Sequence, residues 1–276
     1  MIESGDIMAD EYILNTTDYE FTLFEHQGLG GTRKYIGSPK KKQMPKLLVK
    51  HGGEYSPSCS NYMYSRTGKA IGVTIPQSYI MRIAERDKHL FDSPCAVGIE
   101  FIDGLQPVNL DNIRGNKKFE SDMINCFVLA GLFTRFEDLM QTAYLPSVAV
   151  YPLDFDESFS MDNGLFNCIM RDDQYAEDAV VRVLRNCRQN NQVRCLEIAI
   201  DVAAQTLKLQ IEEVRTIAMK LLRQFVALTE DQIDSIAEPL DEVFTPLLAI
   251  YYEEYVHIIQ EKVRSYIGAP SIPFIS

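Results

Sequence analysis

The chain has 276 residues, 46% hydrophobic and 24% charged, with 39 acidic against 27 basic side chains and a net charge of -12. That is an ordinary globular composition, long enough for one large domain or two lobes with real cores. The acidic balance argues against a nucleic-acid partner and against an anionic membrane surface. The six cysteines, Cys59, Cys95, Cys126, Cys168, Cys187 and Cys195, show no C-x-x-C pair, and only four histidines accompany them. That argues against structural zinc and reads as reduced thiols in a cytoplasmic protein. No signal-peptide order and no bilayer-length apolar run is present, so no membrane is expected.

Residues 1–20 form a polar, acidic N-terminal segment with one apolar patch at Tyr12 to Leu14. Phe21 to Phe24 reads as a strand running into a loop with Gly28, Gly30 and Gly31, where backbone N–H groups can approach a ligand closely. A strand is expected to resume at Tyr35, followed by a basic loop, Lys40 to Lys42, and a strand Lys46 to Lys50. Seven Lys or Arg and no acid fall between Arg33 and Lys50. Within an acidic chain this is either a phosphate-facing patch or a solvated hairpin tip whose lysines deter edge pairing.

Pro57 and Ser58 open a predicted helix, Cys59 to Ile71, closed by Gly72. Strands are predicted at Val73 to Pro76, Ser78 to Ile83 and Cys95 to Ile102, and the Asn-, Asp- and Gly-rich stretch 105–117 reads as a linker. The expected division is a β-rich lobe over 21–105 with one helix and a helical lobe over 106–276. Helical spacing then predicts Phe119 to Phe133, Asp173 to Arg188, Val193 to Leu207, Ile211 to Phe225, Thr229 to Ala237 and Leu240 to Ile267.

Between the first two of these helices, the apolar run Val148 to Tyr151 leads through Pro152 to Asp154, Phe155 and Asp156. A strand that delivers carboxylates to its exposed end suits Mg²⁺, which takes a few acidic oxygens at octahedral positions. Alone, such a run is an ordinary acidic surface turn. In chain order, however, the sequence offers a glycine-rich turn, a strand-borne lysine, a helix after it and a late strand-borne Asp. Phosphoryl transfer requires that inventory, because it rests on positioning and charge neutralisation.

The stretches Lys46 to Lys50 and Ser58 to Pro76, SCSNYMYSRTGKAIGVTIP, resemble the HipA-like Ser/Thr protein kinases. The resemblance implies a two-lobe, protein-kinase-like α+β fold. It implies that Gly28, Gly30 and Gly31 cover ATP phosphates, that Lys50 holds them, and that the backbone around Glu100, in the hinge strand Val97 to Phe101, reads the adenine. Asp154, with Asp156 beside it, would bind Mg²⁺.

The departures fall on the chemistry. Matching the family's Asp-Arg-His motif at Arg135 puts Thr134 at the base and Leu139 near the metal-binding Asn. Neither can do that work. Asn61 stands where the lysine's acidic partner belongs, and supplies no charge. Three readings remain: a degenerate kinase-fold domain acting through a protein partner, an active ATP-dependent Ser/Thr kinase with Glu137 or Asp138 as a relocated base, and an unrelated helical adaptor. His26, His51 and His257 lack partners at metal-ligand spacing. Ser58 and Cys59 lack a neighbouring base. Tyr251, Tyr252, Tyr255 and Phe244 read as core rather than as a docking face.

Overall fold

The structure, a computed structural model, describes residues 12–24, 33–51, 56–91, 95–133, 142–152, 158–160, 163–170 and 174–268. The N-terminal lobe is built on strands β1 (Ile13–Asn15), β2 (Tyr19–Leu23), β3 (Arg33–Pro39), β4 (Leu47–His51), β5 (Ser78–Arg82) and β6 (Cys95–Glu100), with helix α1 (Ser56–Ala70) between β4 and β5. They form one sheet of order β1-β5-β6-β4-β3-β2. Its pairings are antiparallel except at the edge, where β1 runs parallel to β5. The apolar patch at Tyr12 to Leu14 therefore begins an edge strand. The stretch Val73 to Pro76, by contrast, is not a strand: it is an unpaired connection that returns the chain from α1 to the sheet.

Side chains alternate across a pleated strand, so β5 and β6 serve two cores at once. The paired Ile80 and Val97 face α1, whereas the next pair, Met81 and Ala96, joins Leu47, Val49, Tyr35 and Phe91 on the other face. Gly98 is required by close packing: a Cβ there would lie 2.8 Å from Leu47 Cδ1 and 2.9 Å from Met81 Sδ.

The linker contains the short strand β7 (Gln106–Pro107) and a helical turn, α2 (Leu110–Ile113), capped by the Asn109 side chain, which accepts from the Asp111 N–H at 3.0 Å. Helix α3 (Lys117–Phe133) follows, buried almost throughout its second half, then the hairpin β8 (Thr142–Leu145) and β9 (Ala149–Pro152). β7, β8 and β9 make a small antiparallel sheet. The remainder is helical: α4 (Asn163–Met170), α5 (Ala176–Gln189), α6 (Gln192–Leu207), α7 (Ile211–Val226), α8 (Glu230–Val243) and α9 (Pro246–Ile267).

Two boundaries differ from the sequence expectation. α8 continues through Pro239 to Val243, and α9 begins at Pro246. The physical reason lies at the second proline, which occupies the first turn, where a missing N–H costs nothing. Thr245 caps that turn by accepting from Leu248 N–H at 3.3 Å. α8 starts on the expected capping box, Thr229 with Gln232.

These elements give a two-lobe α+β architecture: a mainly antiparallel sheet with one helix against it, a connecting segment and a helical lobe. Tyr251, Tyr252 and Tyr255 are buried in the core, as expected. No two of the six cysteines form a disulfide, and no helix among the described residues is long and apolar enough to cross a membrane.

Candidate functional site

On the sheet side, β2 and β3 pair from Tyr19 with Pro39 to Leu23 with Tyr35, and Phe24 N–H donates to Lys34 O at 2.9 Å. Gly28, Gly30 and Gly31 belong to the connection between these strands and lie outside the described residues. The register of β3 on β4 sets Lys34 opposite Lys50 and Arg33 opposite His51. Lys50 is thus one residue from the end of β4, beside the base of the glycine-bearing hairpin. Its side chain lies outside the described part.

Glu100 ends β6. Its N–H donates to Gln77 O at 2.7 Å, and its carboxylate accepts from Gln77 N–H at 3.3 Å. The next N–H, of Phe101, donates to Lys46 O at 2.8 Å. The amides of Glu100 and Phe101, at the end of the expected hinge, are therefore committed to backbone carbonyls. Lys46 closes the same corner, with its ammonium 4.3 Å from the Phe101 ring centroid and 3.2 Å from the Asp103 carboxylate.

On the helical side, Phe133 is the last residue of α3, directly before the segment holding Glu137 and Asp138. Phe159 follows the segment holding Asp154 and Asp156. All four acids lie outside the described residues; the residues that flank them are described. Phe133 and Phe159 stack with ring centroids 4.6 Å apart and planes 15° apart, and both are buried. At the opposite ends, Thr142 of β8 pairs with Pro152 of β9. Residues 134–141 and 153–157 are therefore bracketed by the same two contacts.

The lower bracket is held firmly. Phe159 has a left-handed backbone at φ 62°, and its carbonyl accepts from Tyr251 Oη at 2.5 Å. The neighbouring Ser158 carbonyl accepts from Ser60 Oγ of α1 at 3.2 Å. The upper bracket is tied to α3 by Asp122, which accepts from Val150 N–H at 3.4 Å and pairs with Lys118 at 3.0 Å.

Tyr151 connects the two sides. Burial raises its phenol pKa first, followed by the negative charges of Glu100 and Asp122. Glu100 and Asp122 are thus the charges that act on the Tyr151 phenol. Asn61 is buried in α1, 1% exposed, and carries no charge. Among the described residues no group of three His, Cys, Asp or Glu is placed to hold a metal ion. His257 is paired with Glu230 at 3.2 Å.

Reading the sequence missed Tyr151, Asp122, Ser60 and the Phe133–Phe159 stack. The first ends an apolar run like any other, and the stack joins residues whose proximity no local periodicity encodes.

No family model matches the chain, and no curated protein matches it in sequence. Among solved structures the chain is similar to a Helicobacter pylori proinflammatory kinase, CtkA. The identity is 11% and the TM-score 0.45, with 92% of this chain and 99% of that chain covered.

Proposed function

We propose that this chain is a HipA-like kinase-fold domain with a degenerate catalytic loop, which binds ATP with Mg²⁺ and acts through a protein partner in the cytoplasm. The observation that carries the reading is the double bracket. The segments bearing Glu137 and Asp138 and bearing Asp154 and Asp156 spring from paired points, the Phe133–Phe159 stack and the Thr142–Pro152 pair. In this reading Gly28, Gly30 and Gly31 cover the phosphates, Lys50 neutralises them, and Asp154 with Asp156 holds Mg²⁺, which would screen the transferring charge when bound. Thr134 and Leu139 leave the base and second metal ligand unfilled.

A second reading is favoured by the same bracket. Because it ties the segment of Glu137 and Asp138 to that of the metal carboxylates, either acid is a candidate relocated base in an active ATP-dependent Ser/Thr kinase.

Thermal shift with ATP and Mg²⁺ separates these. At tenfold over Kd, binding to the native state adds about 1.4 kcal/mol, a rise of about 3 °C for a chain of this size. The rise should vanish in Lys50→Ala and in Asp154→Asn. A rise without phosphoryl transfer supports the degenerate domain, and transfer lost in Asp138→Ala or Glu137→Ala supports the second reading. No rise at millimolar ATP in the wild-type protein would overturn both and leave an adaptor.

A further inference from the structure

The end of α3 is held from outside the helix. The last four carbonyls of any helix lack a partner within it. Two of those of α3, on Gly131 and Leu132, accept from one amide group, Gln192 Nε2, at 2.5 and 3.0 Å. Carbonyls only accept, so it is the amide nitrogen that must face them. Gln192 is the first residue of α6, which lies antiparallel against α3. Residues 195–199 of α6 pass Gly131, where a Cβ would come within 2.9 Å of Ala199 Cβ and 3.3 Å of Cys195 O. That close approach brings the Gln192 side chain within reach. At the other end of the pair, Arg114, just before α3, donates from Nη2 and Nε to Thr206 O of α6 at 2.7 and 3.2 Å. Each helix is thus capped at its C-terminus from beside the N-terminus of the other.

The place of Gln192 is itself fixed. Asn191 caps α6 by accepting from Arg194 N–H at 3.1 Å, and Lys262 of α9 donates to the Cys187 and Asn190 carbonyls where α5 turns into α6. What Gln192 holds is no ordinary helix end. The next residue of α3 after its two acceptors is Phe133, whose ring stacks on Phe159, and Phe159 follows the segment holding Asp154 and Asp156. A shift of the last turn of α3 would therefore be passed through that stack.

We propose that Gln192 is a positioning residue for the Mg²⁺ site: its amide fixes the last turn of α3 and, through the Phe133–Phe159 stack, the segment of Asp154 and Asp156. The metal half of this inference rests on the function proposed above, whereas the hold on α3 stands without it. Gln192 acts through Phe133 rather than by contact with the nucleotide.

The test uses the full chain with two substitutions. Gln192→Glu keeps the shape but presents a carboxylate, which donates only when protonated; Gln192→Met removes the donor at every pH. Hydrogen–deuterium exchange read by mass spectrometry at pH 7.5 should be about tenfold faster in the last turn of α3 in Gln192→Glu, with α8 as in the wild type. At about pH 5.5, after correction for intrinsic rates, the Glu variant should recover toward the wild type and the Met variant should not. In calorimetric titrations Gln192→Glu should bind ATP at least about fivefold more weakly with Mg²⁺ and unchanged in EDTA. The proposal is overturned if the end of α3 exchanges as in the wild type, if α8 accelerates equally, or if the two variants respond alike to pH. It is also overturned if the end of α3 loosens while the affinity with Mg²⁺ is kept. Absence of ATP binding by the wild-type protein would instead remove the function proposed above together with the metal half, and exchange alone would then decide whether Gln192 holds α3.

Discussion

Glu253, on α9, carries a carboxyl whose pKa is raised by burial first, then by Asp234, with Glu230 and Glu254 adding to the effect and His257 opposing it. The folded protein therefore holds this proton more tightly than the unfolded chain does. The associated stability is fully present below the ordinary carboxylate pKa and is lost as pH rises through the elevated folded value. Near neutral pH the ionised group opposes folding, so Glu253→Gln should raise the melting temperature at pH 7.5 by on the order of 1–2 °C. At pH 4 the two proteins should melt together, and thermal melts at both values provide the check. Glu197, on α6, is by contrast an ion-paired carboxylate. It accepts from Arg215 at 2.6 Å and from the Tyr266 hydroxyl, whose pKa burial and this carboxylate push up to about 12.

Among the elements, the turn at Ser158–Ser160 has influence out of proportion to its length. It places one ring, Phe159, against Phe133 of α3, Tyr252 and Tyr255 of α9, and it returns carbonyls to α1 and α9. Phe159→Ala should cost about 3–5 kcal/mol through the cavity it opens. Urea unfolding monitored by circular dichroism measures that loss. The turn was not legible in the sequence, because its contacts lie far away along the chain and its left-handed residue is not a glycine. The long helices were legible, since Phe119, Met123, Cys126 and Phe127 or Val214, Ala218, Leu221 and Leu222 repeat at helical spacing and are buried. Pro239 misled because the packing of α8 outweighs the hydrogen bond that a proline removes, and α4 escaped notice because eight residues are too few to establish a period. For the candidate site, only the strands were legible: β4 and β6, which carry Lys50 and Glu100, fall where apolar runs predicted strands. Which of their neighbours would face them depended on long-range pairing that no local pattern carries.

At the scale of the whole molecule, charge and packing pull in opposite directions. A net charge of -12 spread over one chain is a standing self-repulsion in the compact state. Raising NaCl from about 0.02 to about 0.3 M shortens the Debye length and should therefore raise the melting temperature. A melting temperature that is flat or falling with salt, read by differential scanning calorimetry, would mean that surface ion pairs such as Arg82 with Glu242 and Lys117 with Glu213 outweigh the repulsion. Against that repulsion stands a core that does not stop at the boundary between the lobes. α1 lies within the same buried cluster as α3, α8 and α9; Tyr62 Oη donates to Ile236 O at 3.3 Å, and Thr67 Oγ1 and Tyr252 Oη are 2.8 Å apart. The consequence is mechanical. A lobe whose α-helix among the described residues, α1, is embedded in its neighbour cannot lift as a rigid lid. Any relative motion of sheet and helical lobe would therefore have to leave α1 in place and slide the strands across it, a shear rather than a swing about residues 101–109.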